Sequence, residues 1–190
     1  MTRSRIAVLV LLLSSVLPAA AENAPSRLEV VATVGRSIQG LRGQATVRSL
    51  ALEYARSLTP RFQVVAVAAP YVIEQPKSWF GDLYNDGNEI VKAGSLVVLA
   101  RHHPRTESRR FQPFVEIGTG PIWATRRVPA ATSHFNFISQ AGAGVIVQPQ
   151  RPVSLIVGYR FAHISNGGYA PRNPGLNVNS FFIGTTLRLH

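Results

Sequence analysis

The chain has 190 residues, a formal charge of +11 and no cysteine. That length fits one domain, and the missing thiols exclude disulfides, a thiol nucleophile, thiolate metal sites and a lipoprotein attachment cysteine. The basic balance favours anionic partners.

The first 21 residues read as a secretory signal peptide. Arg3 and Arg5 supply a positive start, Ile6 to Val16 an apolar run, and Ala19-Ala20-Ala21 a small-residue cleavage site before Glu22. The apolar run is short for a spanning helix, so cleavage is expected, leaving residues 22–190 as a single domain outside the cytoplasm. For an exported chain with no nucleic-acid motif, phosphorylated lipid head groups match the charge better than nucleic acid does. A generic basic surface also accounts for it.

No later stretch reaches the roughly 20 apolar residues of a spanning helix. Instead, segments of period-2 character recur between Gly, Pro and charge clusters. Eight are expected, near Leu28–Ser37, Gln44–Arg56, Phe62–Val72, Ser95–His102, Phe111–Gly120, Phe135–Val147, Val153–Ser165 and Ser180–Leu189. One face is aliphatic and aromatic, for example Leu50, Leu52 and Tyr54, or Phe181, Ile183, Leu187 and Leu189. The other collects Glu29, Glu53, Glu116, Arg160 and Arg188, with many glycines. A soluble sandwich has no use for charges and glycines on a packed face, nor for glycines on a solvated one. An all-β, eight-stranded antiparallel outer-membrane barrel of up-and-down topology suits both faces, with a polar interior and a lipid-facing exterior.

The connections support this reading. Those at 56–61, 102–110 and 148–152 are short or moderate, and those at 72–94, 121–134 and 166–179 are longer, as expected of periplasmic turns and outer loops. The first outer loop, near 36–43, is short. Trp79, Phe80, Tyr84 and Trp123 fall in or beside the long loops, where an aromatic girdle would sit, although ordinary loop packing also places them.

In the seventh segment Val153, Leu155, Val157, Tyr159, Phe161, His163 and Ser165 share one face, with Ile156 an apolar exception on the other. His163 and Ser165, at i and i+2, are expected about 7 Å apart at Cβ. That is a spacing from which an imidazole can lean toward a hydroxyl as the base of an activated nucleophile. A polar strand end gives the same pattern. The barrel topology puts the pair on the lipid-facing side at the outer interface, where an apolar face has no structural need of either group. A substrate that is itself an outer-leaflet lipid supplies one.

The run His163-Ile164-Ser165-Asn166-Gly167-Gly168, followed by Asn173-Pro174-Gly175-Leu176-Asn177, resembles the lipid A 3-O-deacylases of the PagL type. The resemblance extends more weakly over the whole mature chain, taking in Pro113 to Gly120 and Phe135 to Gly144. It implies an eight-stranded outer-membrane barrel that hydrolyses the ester-linked acyl chain at position 3 of lipid A, without a cofactor. Carried over, His163 is the general base, Ser165 the nucleophile, and Asn166 with the Gly167 and Gly168 amides the oxyanion donors. The family glutamate expected twelve residues after the serine is replaced by Asn177, and no aspartate or glutamate follows Glu116. Asn177 has the parity of Phe181 and can orient the imidazole as amides do in Cys-His-Asn enzymes, but it brings no charge to an imidazolium. Arg172 is a candidate for the lipid A phosphates by position.

The implied partner is lipopolysaccharide in the outer membrane, met by a monomer or weak homodimer. The alternatives are a catalytically impaired or non-catalytic barrel with a structural or lipid-binding role, a lipid A acyltransferase, and a soluble periplasmic β-sandwich. His102-His103 beside Pro104-Arg105 reads as a solvated turn, His134 as loop packing or a head-group contact, and His190 as an unusual last residue for a barrel.

Overall fold

The computed structural model of the protein describes residues 25–38, 44–77, 87–130 and 132–189. Eight antiparallel strands, β1 (Ser26–Ser37), β2 (Thr46–Thr59), β3 (Phe62–Pro76), β4 (Asn88–His102), β5 (Phe111–Ala124), β6 (Phe135–Val147), β7 (Val153–Ser165) and β8 (Leu176–Leu189), close into one barrel in sequence order. Closure pairs β1 with β8, Ser26 against Leu189 through Ser37 against Val178, and so removes every edge. The signal peptide, Trp79, Phe80, Tyr84, His190 and most of the first outer loop lie outside the described residues.

Several strands run further toward the loop end than the alternation suggests. β3 and β4 stay paired up to Pro76 opposite Asn88, β5 reaches Ala124, and β8 begins at Leu176 rather than near Ser180. At the rim both faces of a strand meet polar surroundings, so the hydropathy alternation fades while the backbone ladder continues. At the opposite end the turns are tight. Between β2 and β3 the Thr59 hydroxyl accepts from the backbone N–H groups of Arg61 and Phe62.

The faces are inverted relative to a soluble sheet. Leu96, Ile117 and Phe181 are about two-thirds exposed, whereas Glu29, Glu53, Arg101, Glu116 and Arg160 are buried in the lumen. Arg101 donates to Glu29, Glu53 and Glu116 at 3.0–3.3 Å, and Arg160 donates to Glu53 and Glu116. Two guanidinium groups are therefore shared among three carboxylates, and every charge is paired, the condition for burying any of them. Phe114 lies 4.5 Å from the Arg101 guanidinium and Phe182 lies 4.9 Å from that of Arg160. Gly144 and Gly158 leave the space those two rings occupy. This accounts for the glycines on the polar face. Arg188 stands apart, lining a cavity of about 390 Å³ at the terminal end with Arg27 and His103.

The sequence expectation of a solvated His102-His103 turn fails for His103. That side chain is buried, its Nδ1 3.2 Å from the Pro113 carbonyl and its Nε2 3.0 Å from the Gln63 amide. Two residues past Arg101 in a continuing alternation, it caps the lumen instead of pointing outward. His102 has the outward parity and packs on Phe62, the ring centroids 5.0 Å apart.

The register fixes the slope of the barrel. The row of cross-strand partners that starts at Ser165 passes through Phe137 and Pro121 and continues round the wall. It re-enters β7 at Leu155, ten residues nearer the terminal end. Each such row therefore descends from the loop end as it leaves β7 toward β6, β5 and β4, as strand tilt in a closed barrel requires.

Candidate active site

β7 and β8 form a hairpin whose loop, 166–175, stands at the rim. The register sets His163 opposite Asn177 and Ile164 opposite Leu176. Directly opposed residues of an antiparallel pair have Cβ atoms about 5 Å apart, and here His163 Nδ1 lies 2.6 Å from Asn177 Oδ1. The asparagine is in contact because β8 starts early enough to include it. Ser165 lies two residues further along the same outward face, half-buried like His163, and among the described residues its hydroxyl makes no hydrogen bond.

The loop is internally stapled. Asn166 is buried; its N–H donates to Asn173 Oδ1 at 3.0 Å, its side-chain amide donates to the Arg172 carbonyl at 2.7 Å, and its Oδ1 accepts from the Gly168 N–H at 2.9 Å. Gly168 thus has its donor engaged, whereas the Gly167 N–H has no partner among the described residues and Asn166 Nδ2 retains a second hydrogen. Gly167 and Gly168 adopt φ of 65° and 83°, which fixes how sharply the chain turns after Ser165. Arg172 is exposed, its guanidinium without an ion pair among the described residues.

Four further residues complete the neighbourhood. Gly175 has φ 70°, and a Cβ there would collide with His163 Cε1, so this glycine forms the wall behind the imidazole. Ser139 on β6 lies opposite His163, and Thr119 on β5 lies opposite Ser139, with their hydroxyls 3.1 Å apart. Thr119, Ser139, His163 and Asn177 therefore form one polar row across four strands of an otherwise apolar exterior. Tyr169 donates its hydroxyl to the Phe135 carbonyl and ties the loop to β6. Hydropathy parity alone marks Ser139 and Thr119 as misplaced polar residues on an apolar face; nothing local in the sequence marks Gly175 or Tyr169.

The imidazole is held at Nδ1, which leaves Nε2 as its other ring nitrogen, and Ser165 and then the Gly167 N–H follow His163 along the chain. The constellation faces lipid rather than the lumen.

The lipid A 3-O-deacylase (PagL) family model matches residues 63–186, which run from β3 into β8 and include His163, Ser165, Asn177 and the loop 166–175. Comparison with curated proteins finds no match. Among solved structures, the outer membrane enzyme PagL superposes with a TM-score of 0.59 at 20% identity, covering 82% of this chain and 97% of that one. Neisserial surface protein A gives 0.58 at 16% identity over 86% and 96% of the two chains. Ail, the attachment invasion locus protein of Yersinia pestis, gives 0.53 at 12% over 87% and 99%. These likenesses show the shared outer-membrane barrel, and the family model covers well over half of the chain. The protein is an outer-membrane β-barrel of Gram-negative type and belongs to the lipid A 3-O-deacylase family.

Proposed function

We propose that the protein is a serine esterase that removes the acyl chain at position 3 of lipid A, with Asn177 in the place of the acidic triad member. The observation that carries this reading is the 2.6 Å contact between His163 and Asn177 on the lipid-facing wall, two residues from an unengaged serine hydroxyl on the same face. Removal of the signal peptide, residues 1–21, leaves a single barrel domain with its termini in the periplasm. β7 then runs outward and its last residues reach the outer leaflet, where the substrate lies.

In the first step Ser165 Oγ attacks the ester carbonyl carbon while His163 Nε2 takes the hydroxyl proton. The Nδ1–H donates to Asn177 Oδ1 throughout, which keeps Nε2 unprotonated beforehand. The oxyanion of the tetrahedral intermediate accepts from the Gly167 N–H and from the second hydrogen of Asn166 Nδ2; Gly168 holds that amide in place. Collapse breaks the bond to the sugar oxygen, which receives the proton from His163. Water, deprotonated by the same imidazole, then releases the fatty acid from Ser165. Arg172 sits where its guanidinium can meet a lipid A phosphate. A monomer or weak homodimer suffices, since every group comes from one hairpin.

A barrel that has lost its chemistry is the second reading, favoured by the absence of any carboxylate beside His163 among the described residues. A serine-directed phosphonate separates the two. Covalent adduct mapped to Ser165, and lost in His163→Ala, is expected. A folded barrel that forms no adduct, or carries it on Ser139 instead, would overturn the assignment.

A further inference from the structure

Where the barrel closes on itself, at the end that carries the chain termini, two arginines stand face to face. Arg27 on β1 lies directly opposite Arg188 on β8, so their Cβ atoms are about 5 Å apart. Both have lumen parity, two residues from the fully buried Glu29 and Thr186 respectively. Like charges directly opposed across a strand pair repel, and neither guanidinium has an ion pair among the described residues. Arg27 is only 7% exposed. Its Nη2 donates to the Pro149 carbonyl at 2.7 Å, while its Nη1 is buried with no partner among the described residues. The nearest acid on β1, Glu29, accepts from Arg101 through both oxygens at 3.0 Å. Deeper in the lumen every buried charge is matched; here a buried cation is left over, which is costly unless something pairs it.

The two arginines line the cavity of about 390 Å³ together with Ser57, Gln63 and Gln112, and no aspartate or glutamate lines it. Thr59 and Pro60, also in its lining, are exposed, so the cavity opens at the terminal end of the lumen. The turns around that opening repeat the charge bias. Arg61, Arg105, Arg109, Arg110 and Arg151 lie in them against a single acid, Glu107, which is exposed and outside the cavity lining. A low-dielectric mouth ringed by one sign of charge concentrates ions of the other sign.

We propose that this cavity binds a phosphate group, held between Arg27 and Arg188. A phosphate splays its oxygens tetrahedrally, so they accept from two guanidinium groups and from the Gln112 amide at once, whereas the oxygens of a carboxylate lie in one plane. Bound there, it gives Arg27 Nη1 its partner and cancels the repulsion between β1 and β8. It thereby fastens the seam at which the first and last strands meet. The terminal end of such a barrel faces the periplasm, which offers the same chemistry from two sources, free phosphate and the head group of an inner-leaflet phospholipid. The site is at the opposite end of β8 from Asn177 and does not depend on the esterase reading.

The test titrates the folded barrel in a maltoside detergent, which contributes no phosphate. Calorimetry follows inorganic phosphate and, separately, monomeric dihexanoylphosphatidylglycerol, with chloride and acetate at equal ionic strength as references. The urea midpoint is read in each solution. Wild type is expected to bind a phosphate ligand and to gain stability from it, with no such gain from chloride or acetate. Arg188→Gln, at a half-buried position that tolerates the change, should weaken that binding by at least about ten-fold, and Arg27→Gln should do the same. Arg151→Gln removes the same charge from an exposed turn outside the cavity and should stay within about two-fold of wild type. Tighter binding of the phospholipid assigns the site to a head group; equal or tighter binding of inorganic phosphate assigns it to the free ion. A folded wild type that binds neither ligand would overturn the site. So would acetate matching phosphate, or Arg151→Gln weakening binding as much as Arg188→Gln.

Discussion

His163 Nδ1 lies 2.6 Å from Asn177 Oδ1 across a directly opposed pair of β7 and β8. An amide oxygen in that position accepts one proton and thereby selects the imidazole tautomer with Nε2 free, which is the part of the acidic residue's work that depends on geometry. The part that depends on charge is missing, since a neutral amide does nothing for an imidazolium beyond accepting its hydrogen bond.

From this follows the behaviour of position 177. Asn177→Glu restores the charge at the same register and is expected to raise kcat on lipid A by about ten-fold or more. Asn177→Leu, which removes the acceptor, is expected to lower it by a comparable factor. Steady-state turnover of the three folded proteins checks both; no change in either variant would remove Asn177 from the site.

Gly175 is the wall behind the imidazole. Gly175→Ala places a methyl against His163 Cε1 and asks an L residue to hold φ 70°, a backbone cost of about 1–2 kcal/mol. Turnover should fall by about ten-fold or more, because the ring is displaced from its line to Ser165. The urea midpoint in detergent should fall only modestly. Loss of stability without loss of turnover would show that the ring does not depend on this contact.

The lumen tests differently. Arg101 is fully buried and joined to three glutamates. Arg101→Met leaves Glu29 without a cation and should cost about 3–5 kcal/mol, read from urea unfolding in detergent micelles. A folded Arg101→Met barrel should retain its turnover per molecule, as the site is on the other side of the wall.

His103 gives a pH dependence. Burial, with the positive charges of Arg101 and Arg27 adding to it, pushes its pKa down to about 4 from an ordinary value near 6.5. The folded barrel therefore keeps the imidazole neutral where the unfolded chain already protonates it. Stability has this contribution intact above pH 6.5, loses it progressively as pH falls, and loses no more below about pH 4. The difference in urea midpoint between wild type and His103→Gln should narrow or invert across that window; a constant difference would contradict the burial of a neutral histidine.

Much of this architecture was legible in the chain because a lipid-facing barrel writes period-2 hydropathy onto every strand. Val153–Ser165 could be bounded from alternation alone, and the outward parity of His163 followed with it. The start of β8 could not be read. Asn173 to Asn179 is polar and carries Pro and Gly, and what extends the strand to Leu176 is pairing with Ile164, a long-range term invisible to a local pattern. Arg101 went unremarked for a related reason: it lies inside the expected segment Ser95–His102, but only closure of the barrel brings it to glutamates on β1, β2 and β5. The staple that occupies the Gly168 donor is likewise a property of the folded loop.

The central claim is that Ser165 cleaves the 3-position ester of lipid A with an asparagine behind its histidine. Mass spectrometry of lipid A after incubation with the folded barrel, beside a folded Ser165→Ala control, tests it most directly. Loss of one 3-hydroxyacyl chain with wild type and none with Ser165→Ala is the predicted result. Unchanged lipid A from folded wild type, or equal loss from Ser165→Ala, would contradict it.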